Sequence, residues 1–221
     1  MILAVTGGKG GVGKSTVALN LAAELDAVAV DGDLAMADLP TDRGPDLHDV
    51  LAGRADPVEA VREGGPVKLL PCGRSLAGAR ASDPTALVEA VEAVADEYDR
   101  VVLDTPAGLS ADAGMPLLAA DACVLVASPR RFALADAVRT RALARELDAG
   151  LAHVVLNRTG PDPPEDAVRR LLGGPVTAVP RDAVVERAQA AGRPVRAVAP
   201  ESTPAARFRA VADAIHSVRS W

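Results

Sequence analysis

The sequence predicts an α/β fold: a single doubly wound, mostly parallel β-sheet with helices on both faces. Two observations predict it, namely short apolar runs that alternate with helical patterns along the chain, and the continuous aliphatic character of those runs. Strands that are apolar at every position are typical of parallel sheets covered on both faces. Alternation of strands and helices favours crossover connections and an open sheet. The predicted strands are residues 2–6, 27–30, 67–70, 101–104, 123–127, 153–157 and 175–179.

Two helix predictions rest on local signals. Asp83 followed by Pro84 is typical of an N-cap with proline in the first helical position, and apolar residues then recur at helical spacing up to Tyr98. Near the C-terminus, one apolar helical stripe is predicted to cover the sheet rather than to anchor the chain in a membrane. The stripe consists of Phe208, Val211, Ala212, Ile215 and Val218.

Length and composition favour one domain over residues 1–221. The 221 residues suffice for a single large core, and no internal repeat or linker divides them. No apolar run reaches the roughly 18 residues of a membrane span. The first strand begins at Ile2, which leaves no room for the charged part of a signal peptide. We therefore expect a cytoplasmic protein.

Charge and the potential metal-ligating side chains narrow the function classes. The formal net charge is −6 and there is no run of Lys or Arg, which argues against non-specific nucleic-acid binding, although arginines could gather into a patch on the folded surface. The two cysteines form no CxxC motif, and the three histidines are scattered. We predict structural roles for these five side chains, which are Cys72, Cys123, His48, His153 and His216.

The strongest motif is the glycine-rich stretch GGKGGVGKST, residues 7–16. It satisfies the phosphate-binding loop pattern, and it lies between a predicted strand and a predicted helix over residues 16–25, as that pattern requires. Glycines let backbone N–H groups turn toward phosphate oxygens, and the helix N-terminus adds a favourable dipole. We expect Lys14 to neutralise the β- and γ-phosphates and the Ser15 hydroxyl to ligate Mg²⁺. The predicted phosphate-binding residues are Gly8, Gly10, Gly11, Val12, Gly13, Lys14, Ser15 and Thr16.

Carboxylates follow two of the predicted strands. Asp104 ends the strand in VVLDTPAG, the usual position of an acidic residue that holds Mg²⁺. Asp31 and Asp33 lie just past the second strand, in VDGDLAMADL. Because the carboxyl ends of parallel strands share one edge of the sheet, we expect these carboxylates to converge on one nucleotide. The predicted Mg²⁺ ligands are Ser15, Asp31, Asp33 and Asp104.

Taken in order, the motifs resemble those of the MinD/ParA family of ATPases, and its MinD-like members in particular. GKGGVGKST, with a lysine directly after the second glycine, resembles the deviant Walker A motif of that family. DGDLAMADL resembles its switch I, and YDRVVLDTPAGLSAD resembles Walker B with switch II. LHDVLAGRADPVEAV and LLPCG resemble the segment between them, whereas VVLNRTG and AVPRDAVVERAQAAGRPV resemble the base-binding strand and loop. The similarity covers nearly the whole chain.

The resemblance implies a Mg²⁺-dependent ATPase that binds ATP/ADP, forms an ATP-dependent homodimer and acts as a switch that positions a cellular cargo. An unknown protein partner would stimulate its slow hydrolysis. Lys9 is implied to contact the nucleotide of the partner subunit, and Asp33 to position the attacking water. Asn157 is implied to hydrogen-bond adenine, since NRTG lacks the lysine and aspartate that GTPases of similar fold use for guanine. The residues implied to flank the base are Pro180, Arg181 and Asp182.

Other functions stay open at this point. A ParA-type DNA partition ATPase would use the same chemistry with nucleic acid as its track, and DNA binding is possible without being indicated. An iron–sulfur carrier of the same superfamily needs paired cysteines, and the missing CxxC argues against it. Intact motifs argue against a catalytically silent scaffold. Direct membrane binding is not expected, because the basic amphipathic helix that ends membrane-oscillating MinD proteins has no counterpart here.

Overall fold

The computed structural model of the chain describes residues 1–41, 43–108 and 111–218. Within these residues, seven strands form one sheet in which every neighbouring pair is parallel. The predicted fold class is therefore confirmed. The strands are β1 (Ile2–Thr6), β2 (Val28–Asp31), β3 (Lys68–Leu70), β4 (Val101–Asp104), β5 (Ala122–Ala127), β6 (Gly150–Thr159) and β7 (Val176–Pro180), and their order across the sheet is β3-β2-β4-β1-β5-β6-β7.

The helices alternate with the strands along the chain and cover both faces of the sheet. They are α1 (Lys14–Leu25), α2 (Leu47–Leu51), α3 (Leu76–Ala81), α4 (Leu87–Tyr98), α5 (Ala111–Leu118), α6 (Arg131–Glu146), α7 (Glu165–Leu172), α8 (Ala183–Ala190) and α9 (Thr203–Val218), with short 3₁₀ helices at Pro84–Ala86 and Val195–Ala197.

The core consists of two layers, one on each face. Successive residues of a strand point to opposite faces, as β1 shows: Leu3 and Val5 pack with α1, α8 and α9, whereas Ile2 and Ala4 pack on the side of α2, α4 and α5. Helices α6 and α7 cover β5 and β6 on that second side. Burial on both faces explains why the strand sequences are aliphatic throughout.

Several predicted boundaries shift. Helix α1 begins at Lys14 rather than at residue 16, so the lysine belongs to the helix. Asp31 is the last residue of β2 and not a loop residue beyond it. Asp83 is an N-cap as predicted, since its carboxylate accepts from the Thr85 N–H, but Pro84 begins a 3₁₀ turn that leads into α4.

The apolar stripe of α9 lies in the core. Its members Phe208, Val211, Ala212 and Ile215 are all buried, which confirms the predicted core helix for these four residues. The side chain of Val218 lies outside the part of the chain that the structure describes. Across the described residues, no helix is both long enough and apolar enough to cross a membrane.

His153 on β6 is a buried histidine whose pKa shift makes the stability of the fold depend on pH. It is 3% exposed, and its Nε2 lies 2.9 Å from the Thr177 hydroxyl. Burial lowers the pKa of His153 to about 4. The unfolded chain, in which the pKa returns to about 6.5, therefore takes up a proton first as the pH falls. We expect stability to be retained above pH 6.5 and to fall between pH 6.5 and 4, by up to about 3 kcal/mol from this group.

The control is His153→Gln, which keeps a polar contact for Thr177 but has no group that titrates in this range. Urea denaturation of both proteins from pH 7.5 to 4 measures the difference in free energy of unfolding. Parallel pH profiles for the two proteins would contradict the prediction.

Candidate functional site

The glycine-rich loop joins β1 to α1 at the carboxyl edge of the sheet. Gly13 directly precedes the helix with a φ of 99°, a conformation that favours glycine. Lys14 is the first residue of α1 and is only 8% exposed, and Ser15 and Thr16 follow it in the first turn. The unpaired N–H groups of a helix N-terminus form an anion-binding site. The described geometry is therefore the one that a phosphate-binding loop requires.

Two residues of β6 brace this loop. The Asn157 amide donates to the Val12 carbonyl at 2.9 Å and accepts from the Arg158 N–H at 2.9 Å. The Arg158 guanidinium donates to the Gly11 carbonyl at 2.6 Å, from a residue whose own φ is 58°. These hydrogen bonds hold the Gly11 and Val12 carbonyls from the β6 side and so restrict the conformation of the loop. The predicted contact of Asn157 with adenine stays a prediction, while its bracing role is observed.

The two carboxylates at the ends of β2 and β4 are direct neighbours. Asp31 and Asp104 pair in the parallel register of these strands, and they are 0% and 1% exposed. Both oxygens of Asp104 are buried and have no hydrogen-bond partner among the described residues. Burial raises the pKa of Asp104 well above its usual value; the neighbouring Ser15 hydroxyl and Lys14 offset only part of the effect, and the charge of Asp31 adds to it. A buried carboxylate without donors fits a cation as its missing partner.

Asp31 differs from Asp104 because its oxygens are engaged. They accept from the Asp33 N–H at 3.3 Å and from the Leu39 N–H at 3.1 Å, and so hold both ends of the loop between these residues. Burial raises the pKa of Asp31 to about 7, and the two backbone hydrogen bonds oppose that rise. Direct ligation of Mg²⁺ by Asp31 stays a prediction, and the observed contacts favour an indirect effect on the site.

Asp33 is half-buried at the start of that loop. Its carboxylate accepts from the Met36 N–H at 3.1 Å, in a turn that the Asp33 carbonyl also closes. Burial raises the pKa of Asp33 above its usual value. The group is thus fixed in direction and partly open to solvent, which suits a residue that orients a water molecule.

The side chains at this edge of the sheet can bind Mg²⁺ if phosphate oxygens supply further ligands. Among the described residues, no three His, Cys, Asp or Glu side chains are close enough to hold a metal ion by themselves. Mg²⁺ keeps several waters and is usually bound through one or two carboxylates plus substrate phosphates. Asp104 and the Ser15 hydroxyl would supply the protein ligands. In the structure, Ser15 instead donates to the Asp38 carboxylate at 3.4 Å.

The four residues predicted to surround the base come together. They line one pocket of about 230 Å³ beside Thr16 at the start of α1, which places it next to the phosphate loop. Asp182 also caps α8 by accepting from the Val184 N–H at 2.8 Å, so part of its role is structural. The residues in question are Asn157, Pro180, Arg181 and Asp182.

A second and larger cleft, of about 580 Å³, also borders the phosphate loop and shares Arg158 and Arg181 with the first pocket. Its charged lining residues are all cationic, although the chain carries a net charge of −6, and the side chain of Phe132 at its edge is 81% exposed. Lys9 lines this cleft; it is exposed and has no hydrogen-bond or ion-pair partner among the described residues. We call it the basic cleft and define it by Lys9, Arg130, Arg158, Arg181 and Phe132.

Sequence reasoning missed several of these contacts. Asp38, the partner of Ser15, is the third carboxylate in VDGDLAMADL, and this concentration of acidic residues was the signal that the sequence offered. Gln189, whose side chain pairs with the Thr16 hydroxyl at 3.2 Å, has no signal in the sequence because 173 residues separate the two.

Leu109 and Ser110, within the segment that resembles switch II, lie outside the described residues.

Known proteins share this architecture. Residues 3–195 match the CobQ/CobB/MinD/ParA nucleotide binding domain (CbiA). An uncharacterized ATP-binding protein of Methanocaldococcus jannaschii is 38% identical over 203 residues, which cover 85% of this chain and 77% of that protein. The cell division ATPase MinD of Pyrococcus furiosus has a crystal structure with a TM-score of 0.92 and 31% identity, covering 98% of both chains. The septum site-determining protein MinD of Pyrococcus horikoshii, complexed with Mg-ADP, also gives 0.92, at 30% identity, covering 99% of this chain and 97% of that one.

The loop geometry predicts a specific effect at Gly8. A Cβ there would lie 2.5 Å from the Asp136 carbonyl oxygen of α6, closer than any side chain allows. We expect Gly8→Ala to lower the free energy of unfolding by about 1–3 kcal/mol, as overpacking does. A Cβ at Gly10 would meet nothing within 4 Å, so Gly10→Ala is the matched control. Urea denaturation without nucleotide measures both, and equal effects at the two positions would refute the proposed clash.

Proposed function

The chain belongs to the CobQ/CobB/MinD/ParA nucleotide-binding family, which includes the MinD/ParA ATPases, and from that premise we propose a Mg²⁺-dependent ATPase that acts as a nucleotide-controlled dimer switch. The observation that carries the proposal is the contrast between two lysines of one loop. Lys14 is 8% exposed at the start of α1, whereas Lys9 is exposed and has no partner among the described residues. One lysine suits the phosphates of its own subunit, and the other is available to a second molecule.

The arrangement at the sheet edge supports ATP hydrolysis. Lys14 and the N-terminal amides of α1 stabilise negative charge on the β- and γ-phosphates. Mg²⁺ at Ser15 and Asp104 supplies further charge neutralisation when bound. Asp33 orients a water molecule, whose oxygen bonds to the γ-phosphorus as the bond to the bridging oxygen breaks, giving ADP and phosphate. Positioning and charge dominate this reaction, so Asp33 need not be a strong base.

The basic cleft supports the proposed dimerisation. Cations gathered in one cleft repel each other until an anion is brought to them, and an ATP-loaded second subunit provides one. A charge-assisted contact from Lys9 to that nucleotide contributes roughly 1.5–3 kcal/mol and resembles an arginine finger in its action. Loss of the γ-phosphate removes charge from the contact and weakens the dimer, which makes the nucleotide state a switch.

The biological output that we propose is the spatial positioning of a cellular cargo. The proposal rests on the similarity to the cell division ATPase MinD of Pyrococcus furiosus. We expect slow intrinsic hydrolysis that a protein partner stimulates. Affinity purification with an ATP-trapped variant, compared with the same variant in ADP, is the direct search for cargo and partner.

A ParA-type DNA partition ATPase is the second candidate, and the basic cleft is the observation that favours it. Its cations and the exposed Phe132 are groups that bind phosphates and stack on bases. Duplex DNA binding that requires ATP and weakens steeply between 50 and 200 mM salt would support this candidate. ATP-dependent dimerisation without DNA binding would support the first.

Lys9→Ala tests the dimer switch. We expect ATP affinity to stay within about twofold, ATP-dependent dimerisation to disappear and hydrolysis to fall at least about tenfold, because Lys9 acts on the other subunit. Lys68→Ala is the matched control, since it removes a lysine from β3 that pairs with Asp26 at 3.1 Å, away from the loop. Light scattering with ATP or ADP, together with phosphate release, measures both properties. A Lys9→Ala protein that dimerises and hydrolyses normally would eliminate the role in trans.

Asp33→Ala tests the orientation of water. We expect this variant to bind ATP and to accumulate as the ATP-bound dimer, because assembly is intact while the attacking water is no longer held. Asp213→Ala, which removes an exposed carboxylate from α9, is the control and is expected to turn over normally. The same light-scattering and phosphate-release measurements apply. Normal turnover by Asp33→Ala would count against its assigned role.

A further inference from the structure

His48 in α2 is a buried histidine that the mechanism above does not use. It is 2% exposed, and its Nε2 lies 3.0 Å from the carbonyl oxygen of Leu34, the residue directly after Asp33. A carbonyl oxygen can only accept a hydrogen bond, so Nε2 carries the proton and donates it to Leu34. Nδ1 is then an unprotonated acceptor, and it has no partner among the described residues. The N–H group of the ring is therefore directed to the loop of Asp33.

The imidazole of His48 is closely packed on several sides. A Cβ at Gly73 would lie 2.6 Å from Nδ1, and a Cβ at Gly78 would lie 2.9 Å from the same atom. The Cys72 sulfur lies 3.3 Å from Nε2 on the other side of the ring. Only glycines leave room for the ring at these two positions, and the close packing fixes the direction of the N–H group.

Helix α2, which carries the histidine, is itself held to neighbouring elements. Asp46 and Asp49 form a reciprocal capping box at its start. The Leu47 N–H donates to the Pro71 carbonyl at 2.9 Å, just beyond β3, and the Ser82 hydroxyl donates to the His48 carbonyl at 3.4 Å. These contacts fix the position of His48, so that its side chain can hold the neighbouring loop of Asp33 in place.

Leu34 packs against the core, and the other hydrogen bonds of this loop among the described residues lie near its ends and at its first turn. Asp31 holds the N–H groups of Asp33 and Leu39. The turn from Asp33 to Met36 carries the carboxylate assigned to the attacking water. The Leu34 carbonyl lies inside this turn, so a donor on it restricts the direction in which the Asp33 side chain points.

We propose that His48 is a positioning residue for ATP hydrolysis, and that its Nε2–H group, by holding the Leu34 carbonyl, fixes the turn that presents Asp33 to the water. The inference rests on the proposed role of Asp33. It assigns His48 no contact with nucleotide or water. Loss of the donor therefore affects the rate of hydrolysis and leaves the binding of ATP in place.

The test compares two amides at this position. His48→Gln can place an amide N–H near the position of Nε2, whereas His48→Asn is one methylene shorter and falls short of the Leu34 carbonyl. We expect kcat to fall about tenfold in His48→Asn with KM for ATP changed less than about twofold, and to recover in His48→Gln. His48→Phe, which keeps a ring without a donor, is expected to match His48→Asn. Cys72→Ala removes the other neighbour of Nε2 and is expected to keep kcat near that of the unmodified chain.

Two measurements separate positioning from a general loss of stability. In an Asp33→Ala background, His48→Asn is expected to lower the residual rate less than about twofold, because a residue that acts through Asp33 has nothing left to position. Amide hydrogen exchange over residues 33–39 is expected to accelerate in His48→Asn and His48→Phe but not in His48→Gln or Cys72→Ala. The exchange experiment needs no ATPase activity.

The outcomes distinguish the inference from the proposed function. An unmodified chain that neither hydrolyses ATP nor dimerises would refute the proposed function, whereas faster exchange in His48→Asn would still support the contact with Leu34. An unchanged kcat in both His48→Asn and His48→Phe would overturn the positioning role. An equal loss with and without the Asp33 carboxylate would overturn it as well, because the effect would then not pass through Asp33.

Discussion

The rest of the site depends on two carboxylates buried side by side at the edge of the sheet. The register of β2 against β4 makes Asp31 and Asp104 neighbours, and both are withdrawn from water. Asp31 is compensated by two backbone N–H groups, but Asp104 has no donor among the described residues. Removing a carboxylate from water without a partner costs several kcal/mol. This edge of the sheet therefore favours a bound cation. The phosphates of a nucleotide can bring such a cation to Asp104.

The phosphate loop is preorganised for that group. Its carbonyls at Gly11 and Val12 are occupied from β6, and α6 packs directly against Gly8, so little ordering remains when a ligand binds. Lys9 is the exception, because it lies in the basic cleft and has no ion-pair partner among the described residues. One subunit therefore has all the residues that we expect to bind its own phosphates. The positive charges of its basic cleft, however, have no negative group to balance them among the described residues. The proposed dimer resolves this mismatch with the nucleotide of a second copy.

The sequence could predict the fold and the loop because both signals are local. Seven aliphatic runs marked the seven described strands to within a few residues, and the phosphate pattern places Lys14 at a helix start wherever a strand precedes it. Long-range contacts were not predictable. Asn157 matches a base-contacting position in the motif, yet its amide holds Val12, 145 residues away. His48 was predicted to be merely structural, because its contact with Leu34 depends on how α2 packs beside β3.

The strand order separates the residues proposed for hydrolysis from the basic cleft proposed for dimerisation. Asp33 and His48 belong to the β2–β3 side of β1, whereas the basic cleft combines Lys9, from the loop after β1, with residues of β6 and of the segments that follow β5 and β7 on the other side. Three strand spacings lie between β2 and β5, which amounts to about 14 Å at about 4.8 Å each. That separation exceeds the Debye length of roughly 8–10 Å at physiological salt, so exposed charges on the two sides interact weakly. The phosphate loop lies between them at the end of β1. A nucleotide bound there can therefore couple Asp33 of its own subunit to Lys9 of the other subunit through its own charge.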